Sequence, residues 1–166
     1  MSNKVYYYIV EGEVEKKIID EIKHKYIQSG KVLVKNPIQN KIPDTILRTL
    51  KLNTTVILVF DTDITNNLDI LDYNISKLSR QKNIKEVILI PQVKHMEDEI
   101  VYSTNINQIK DLLGTRSNSD FKIKVLDCSN LLLKLEQKSF DINKFWSKNA
   151  VNTFRKYTNQ SLKIKK

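Results

Sequence analysis

Acidic side chains recur in this sequence where strongly apolar runs end. Glu11 and Glu15 are four residues apart, so their carboxylates share one face if a helix begins there. Asp61 and Asp63 are two residues apart and point the same way if the preceding strand continues between them. Carboxylates gathered closely repel one another unless a cation holds them, and all-oxygen ligand sets favour hard ions such as Mg²⁺ or Mn²⁺. Either pair alone also fits ordinary strand-end and helix-cap positions, but the two together predict a divalent-metal site.

Strands and helices must position these side chains, and the apolar pattern predicts both. Compact apolar or alternating runs predict five strands, at residues 6–10, 31–35, 54–60, 87–90 and 121–126. Apolar residues at helical spacing predict helices at residues 13–26, 43–50, 68–78, 97–103, 106–113, 130–137 and 143–156. This alternation favours an α/β fold with a mostly parallel central sheet, helices on both faces and Rossmann-like layering. Because the carboxyl ends of parallel strands meet at one edge, we expect Glu11 and Asp61 to converge.

Length and composition limit the class of protein. A chain of 166 residues with 40% hydrophobic and 28% charged residues is typical of one globular domain, and it excludes low-complexity and disordered classes. The apolar runs are far shorter than the ~20 residues of a membrane helix, so we expect a cytoplasmic protein without a membrane partner. The single Cys128 excludes an internal disulfide and a cysteine zinc cluster.

Most of the net charge of +9 lies at the C-terminal end, because residues 144–166 hold seven Lys and Arg and no acidic residue. Basic and aromatic side chains interleave there, a mixture that can hold a nucleic-acid backbone and stack a base. A solvated basic helix whose aromatic residues form its core face is the alternative. The candidate nucleic-acid-binding residues are Lys144, Lys148, Arg155 and Lys156.

The segments YYYIVEGEVEKKII and VILVFDTD together resemble the two signature motifs of the Toprim family. Those motifs are a Glu in an EG turn after an apolar strand and a DxD after another apolar strand. The family includes topoisomerases, bacterial primases, recombination proteins, small ribosomal-RNA maturases and nucleases of the overcoming-lysogenization-defect type. The resemblance covers roughly residues 5–100 and implies a parallel-sheet core with a Mg²⁺-dependent acidic site that acts on phosphodiesters.

Carried over by position, the resemblance assigns the family's Glu to Glu11, its turn Gly to Gly12 and its DxD to Asp61 and Asp63. Glu15 matches the second acidic residue that the nuclease-type branch uses. The segment DTDITNN lacks the Gly that many topoisomerases and primases carry after the DxD, which disfavours strand passage and primer synthesis.

The segment PQVKHMEDEI resembles a further acidic motif of the nuclease-type branch and of RloB-like defence proteins. Glu97 is the best match, with Asp98 and Glu99 as alternatives in register. Lys94 precedes the motif and is a candidate contact for a phosphate oxygen in the transition state, or else a solvent-facing lysine. His95 is a candidate base or ligand, or else a surface histidine.

These observations predict a Mg²⁺- or Mn²⁺-dependent nuclease acting on DNA or RNA, in phage defence or mobile-element biology. The expected catalytic residues are Glu11, Asp61, Asp63 and Lys94, and the expected metal ligands are Glu11, Glu15, Asp61, Asp63 and Glu97. A non-hydrolytic regulatory or binding module and a ribosomal-RNA maturase-like endoribonuclease remain alternatives. A receiver-like domain fits less well, because it places its acidic pair after the first strand and a single Asp after the third.

We expect one domain over residues 1–166, with a Toprim-like core at about 5–128 and a basic helical extension at about 129–166. We expect no dedicated substrate-recognition domain in these residues, which makes an ATPase or another defence-system protein a possible partner. A homodimer is also compatible with the sequence.

Overall fold

Four apolar segments form the strands of a single parallel sheet in the computed structural model, which describes residues 4–63 and 67–166. The strands are β1 (Val5–Val10), β2 (Lys31–Val34), β3 (Thr54–Asp61) and β4 (Ile84–Gln92). Their order across the sheet is β2-β1-β3-β4, with every neighbouring pair parallel. The two strands that carry the acidic motifs, β1 and β3, are therefore adjacent at the centre of the sheet.

Seven helices connect or follow the strands in the described part of the chain. They are α1 (Glu13–Ile22), α2 (Asp44–Thr49), α3 (Asp69–Ser79), α4 (Met96–Ser103), α5 (Lys110–Leu113), α6 (Asn118–Asp127) and α7 (Leu131–Gln137). Short 3-10 turns follow at Asn152–Lys156 and Ser161–Lys163. None of the helices in the described ranges has the length and apolarity needed to cross a membrane.

Helices cover both faces of the sheet, as the α/β prediction requires. Alternate strand residues point to opposite faces, so Tyr8 and Ile57 pack in one apolar cluster while Tyr7 and Val56 pack in the other. The first cluster lies under α1, α4, α6 and α7, and the second lies under α2 and α3. Burial on both faces explains why β3 is a continuous apolar run rather than an alternating one.

The predicted fifth strand at residues 121–126 is wrong, because this segment lies in helix α6. Its alternating apolar residues and lysines suggest a period of two, yet Phe121 and Val125 are also four apart and form the buried face of a helix. Ser117 caps the helix, its side chain accepting a hydrogen bond from the backbone N–H of Asp120 at 3.1 Å. Ile123 stays exposed, as a position on the outer face of the helix would.

The predicted helix at residues 143–156 is also wrong, because this segment holds only a short 3-10 turn at Asn152–Lys156. Trp146 and Asn152 adopt left-handed backbone angles, with φ of 55° and 56°, which a continuous α-helix does not allow. Phe145 and Trp146 pack in the same apolar cluster as α1, whereas Phe154 packs in the cluster on the other face. The segment is thus part of the core.

Strand β4 runs through Pro91 to Gln92, beyond the predicted end at residue 90. Pro91 lies opposite Phe60 in the register, and proline is tolerated there because β4 is the edge strand. The C-terminal segment covers this edge: Gln160 donates its backbone N–H to the Leu89 carbonyl at 2.9 Å, and its side chain accepts from the Leu89 N–H at 3.0 Å.

Candidate functional site

The carboxylates of Glu11 and Asp61 meet at the carboxyl edge of the two central strands. Glu11 directly follows β1 and Asp61 is the last residue of β3, and both side chains are half-buried. The backbone N–H of Asp61 donates a hydrogen bond to Oε1 of Glu11 at 3.2 Å. The parallel pairing of β1 with β3 thus brings together two residues fifty positions apart in the sequence.

Both carboxyl groups hold protons more tightly than ordinary carboxyl groups do. Burial raises the pKa of Glu11 to about 7, and repulsion from Glu15 and Asp63 adds to this effect. Burial also raises the pKa of Asp61 to about 9, with further repulsion from Glu11 and Glu15. Such a cluster favours any cation that enters it, because the cation relieves both the desolvation and the repulsion.

Glu15 extends this cluster from the first turn of α1, where its side chain is buried. Burial and repulsion from Glu97 raise its pKa, while backbone N–H groups and Lys122 partly offset both effects. Gly12 makes room for this carboxylate, because a Cβ atom at Gly12 would lie 2.9 Å from Oε2 of Glu15. A side chain at residue 12 would therefore force the Glu15 carboxylate to move.

The acidic segment of α4 contributes one carboxylate to the cluster. Glu97 repels Glu15 and forms an ion pair with Lys122, whose Nζ lies 3.2 Å from Oε1 of Glu97. Nδ1 of His95 lies 2.7 Å from Oδ2 of Asp98 and 3.6 Å from Oε2 of Glu97. Glu99 accepts backbone N–H groups from elsewhere in the fold, so Glu97 is the member of this motif that faces the other carboxylates.

Asp63 and Lys94 lie at the outer rim of the site. Asp63 is exposed, and its charge acts on both Glu11 and Asp61. Lys94 is exposed and has a left-handed backbone with φ of 65°, an uncommon conformation for a residue with a side chain. Its backbone N–H donates to Oγ1 of Thr62 at 3.2 Å, and its carbonyl accepts the Thr62 N–H at 2.9 Å. Residues 64–66 of the segment DTDITNN, which lacks a Gly after the DxD, lie outside the described residues.

Three residues at the site were not predicted from the sequence. Lys122 on α6 is held by Glu97 and also feels the charges of Glu15 and Asp61. Gln92 donates a side-chain hydrogen bond to Oδ1 of Asp61 at 2.6 Å. Trp146 in turn donates its indole N–H to the Gln92 side chain at 3.1 Å. Lys122 was missed with helix α6, although Ser117 followed by Asp120 is a recognisable helix-start signal.

The site has the donor chemistry for a hard divalent cation. Across residues 4–63 and 67–166, no three His, Cys, Asp or Glu side chains are grouped tightly enough to bind one metal ion as they stand. The donors are nevertheless all carboxylate oxygens, and burial together with mutual repulsion raises the pKa values of Glu11 and Asp61. These groups therefore fit Mg²⁺ or Mn²⁺ provided that the side chains rotate toward the ion.

The four basic residues proposed to contact nucleic acid do not lie on one helix face. Lys144 and Arg155 are exposed, whereas Lys148 lies over the ring of Tyr102 at 3.9 Å from its centroid. Lys156 is paired with Asp72 at 2.7 Å. At the end of the chain Lys163 pairs with Glu86 and Lys166 donates to the carbonyl of His24, whereas Nζ of Lys165 is buried without a hydrogen-bond partner among the described residues.

Comparison with known proteins adds nothing to these residues. No family model, curated protein or solved structure matches the chain.

Proposed function

We propose that this protein is a Mg²⁺- or Mn²⁺-dependent nuclease that hydrolyses phosphodiester bonds. The observation that carries the proposal is the meeting of Glu11, Glu15, Asp61 and Glu97 at one edge of a parallel sheet. The carboxyl edge of such a sheet is where α/β proteins place their ligands. The resemblance of the same segments to the Toprim motifs also favours the proposal.

In this proposal the metal is held by Glu11 and Asp61, with Glu15, Asp63 and Glu97 completing the ligand set. When bound there, the ion would supply Lewis-acid polarisation of the scissile phosphate. Lys122 and Lys94 supply positive charge at the rim, where the phosphate oxygens of a substrate would arrive. Lys122 is paired with Glu97 at 3.2 Å. A metal ion that binds Glu97 would replace Lys122 as its partner, and a substrate phosphate would replace Glu97 as the partner of Lys122.

Nucleic acid is the substrate class that fits the charge distribution. The exposed Lys144 and Arg155 are the most available of the four proposed contacts, because Lys148 and Lys156 already contact Tyr102 and Asp72. We propose that an ATPase or another defence protein, or a second copy of the chain, supplies the additional surface for substrate recognition. Cytoplasmic location and a role in phage defence belong to the same proposal.

A non-hydrolytic binding module is the second candidate, and the Lys122–Glu97 ion pair favours it. A lysine that already neutralises part of the acidic cluster reduces the need for a metal. In that case the site would serve metal-dependent or charge-dependent association without cleavage. The two candidates differ in whether Asp61 is required for turnover or only for binding.

The decisive experiment is cleavage of labelled single-stranded DNA, double-stranded DNA and structured RNA with Mg²⁺, with Mn²⁺ and with chelator. We expect Asp61→Asn and Glu11→Gln to lose activity by roughly 100-fold or more. Glu13→Gln is the matched control, because Glu13 lies between the two acidic residues of the first motif but is exposed. Cleavage of structured RNA alone would favour the maturase-like activity.

Mn²⁺ binding to the same variants separates the two candidates. Binding that requires Asp61 without cleavage of any substrate would favour the regulatory module. Failure of the unmodified protein to bind Mn²⁺ or Mg²⁺ would overturn the metal site, whatever the cleavage result.

A further inference from the structure

A chain of side-chain hydrogen bonds links the C-terminal segment to Asp61. The indole N–H of Trp146 donates to Oε1 of Gln92 at 3.1 Å, and Nε2 of Gln92 donates to Oδ1 of Asp61 at 2.6 Å. Gln92 and Trp146 are both fully buried, with 0% exposure. Buried polar groups of this kind are normally satisfied, and here the partner of the Gln92 amide is an acidic residue of the candidate site.

The direction of this chain is fixed by the chemistry of its members. An indole N–H can only donate a hydrogen bond, so the Gln92 atom that faces Trp146 must be its carbonyl oxygen. The amide nitrogen of Gln92 must then face Asp61, where it donates to a carboxylate. Rotating the amide by half a turn would place a donor against a donor and an acceptor against an acceptor, at the full cost of two unsatisfied buried groups.

Trp146 is itself held firmly enough to act as the fixed end. Its backbone N–H donates to Oε2 of Glu99 at 3.2 Å, and its carbonyl accepts from Asn159 at 2.8 Å and from Ser161 at 2.6 Å. Its φ of 55° is unfavourable for a bulky residue, so these contacts maintain a strained backbone. Strain of this kind persists only where surrounding contacts impose it.

We propose that Gln92, oriented by Trp146, is a positioning residue that engages Oδ1 of Asp61 and directs the second oxygen, Oδ2, toward the bound cation. The inference rests on the proposed function, since it takes Asp61 as a metal ligand. It explains why β4 continues past Pro91, because the register places Gln92 directly opposite Asp61.

The first test measures Mn²⁺ affinity by electron paramagnetic resonance in three variants. Gln92→Met keeps the length of the side chain and removes both hydrogen bonds, and we expect about 10-fold weaker binding. Trp146→Phe keeps an aromatic ring and removes the N–H donor, and we expect a smaller loss in the same direction. Phe140→Leu is the control for lost aromatic packing in the same apolar cluster, and it should bind Mn²⁺ as the unmodified protein does. Unchanged affinity in Gln92→Met, with the fold intact by circular dichroism, would overturn the proposal.

The second test needs neither metal nor activity. The sequence has one tryptophan, so the indole N–H gives a single cross-peak in a nitrogen–proton correlation spectrum. We expect Asp61→Ala to shift this cross-peak and Glu97→Ala, which removes another carboxylate of the site, to leave it in place. An indole cross-peak that keeps its position in Asp61→Ala would overturn the proposal. A shifted indole in a protein that binds no Mn²⁺ would uphold the link between Gln92 and Asp61 and overturn the proposed function.

Discussion

Neutralising Asp61 should stabilise the metal-free protein, because its charge is costly in the folded state. Burial and neighbouring carboxylates raise its pKa from 3.8 to about 9. One pKa unit corresponds to about 1.4 kcal/mol, so at about pH 8, roughly four units above the ordinary value, holding Asp61 protonated in a rigid folded cluster would cost on the order of 6 kcal/mol relative to the ionised unfolded chain. Side-chain rotation and water entry relieve much of this cost, and we expect Asp61→Asn to gain about 2 kcal/mol. Asn retains the acceptor for Gln92.

The same pKa values set the direction of the pH dependence. A carboxyl group whose pKa is higher in the folded state than in the unfolded state binds more protons when folded, between the two values. The free energy of unfolding should therefore fall as the pH rises from about 4 through the raised values of about 7 for Glu11 and about 9 for Asp61. The slope should be smaller in Asp61→Asn. Excess Mg²⁺ should recover the lost stability of the unmodified protein, because ligands that bind only the folded state stabilise it.

Urea denaturation in chelator at about pH 5, 7 and 9, followed by the fluorescence of Trp146, measures these quantities. Asp63→Asn is the matched control: Asp63 belongs to the same DxD motif but is exposed, so its substitution should change the free energy of unfolding by about 0.5 kcal/mol or less. The reasoning is refuted if Asp61→Asn is no more stable than the unmodified protein at high pH, or if the unmodified protein gains stability as the pH rises.

Three other substitutions test separate contacts by thermal and urea denaturation. Gly30→Ala should cost about 2 kcal/mol, because its Cβ would lie 2.4 Å from the carbonyl oxygen of Tyr6; an unchanged melting temperature would contradict this close approach. Lys122→Met should cost about 0.5 kcal/mol at neutral pH and less in acid, since it leaves the Glu97 carboxylate without its exposed lysine partner; equal losses at both pH values would argue against the ion pair. Tyr8→Phe should cost about 1 kcal/mol, because its hydroxyl donates to the carbonyl of Gln28 at 2.5 Å; a neutral effect would count against that bond.

The α/β class and the adjacency of the acidic motifs follow from features that are local in the sequence. Strand β3 is apolar along nearly its whole length, which indicates a strand covered on both faces. Glu11 and Asp61 then fall at strand ends by counting alone, and parallel pairing brings those ends to one edge. The order of the strands was not predicted, because it depends on which crossovers pack best and not on any single segment.

Helix α6 and strand β4 show why local patterns failed elsewhere. Phe121 and Val125 fit both the strand period and the helix period, and the Ser117 cap together with the packing of α6 against α1 selects the helix. Pro91 usually ends a strand, but at the sheet edge its missing N–H costs no ladder hydrogen bond. Each error removed one residue from the predicted site, Lys122 in the first case and Gln92 in the second.

The conformation of the C-terminal segment could not be predicted from local patterns, because it is set by contacts that are distant in sequence. In a helix, the N–H and carbonyl of Trp146 would bond within the segment; here they bond to Glu99 and to Asn159 and Ser161. Its basic composition suggested a separate nucleic-acid-binding helix, yet its aromatic residues complete both apolar clusters. Because this segment helps to build the core and hydrogen-bonds to Gln92, it cannot be a detachable arm. A nucleic acid bound by Lys144 or Arg155 would therefore contact a segment that is linked to Asp61 through Trp146 and Gln92.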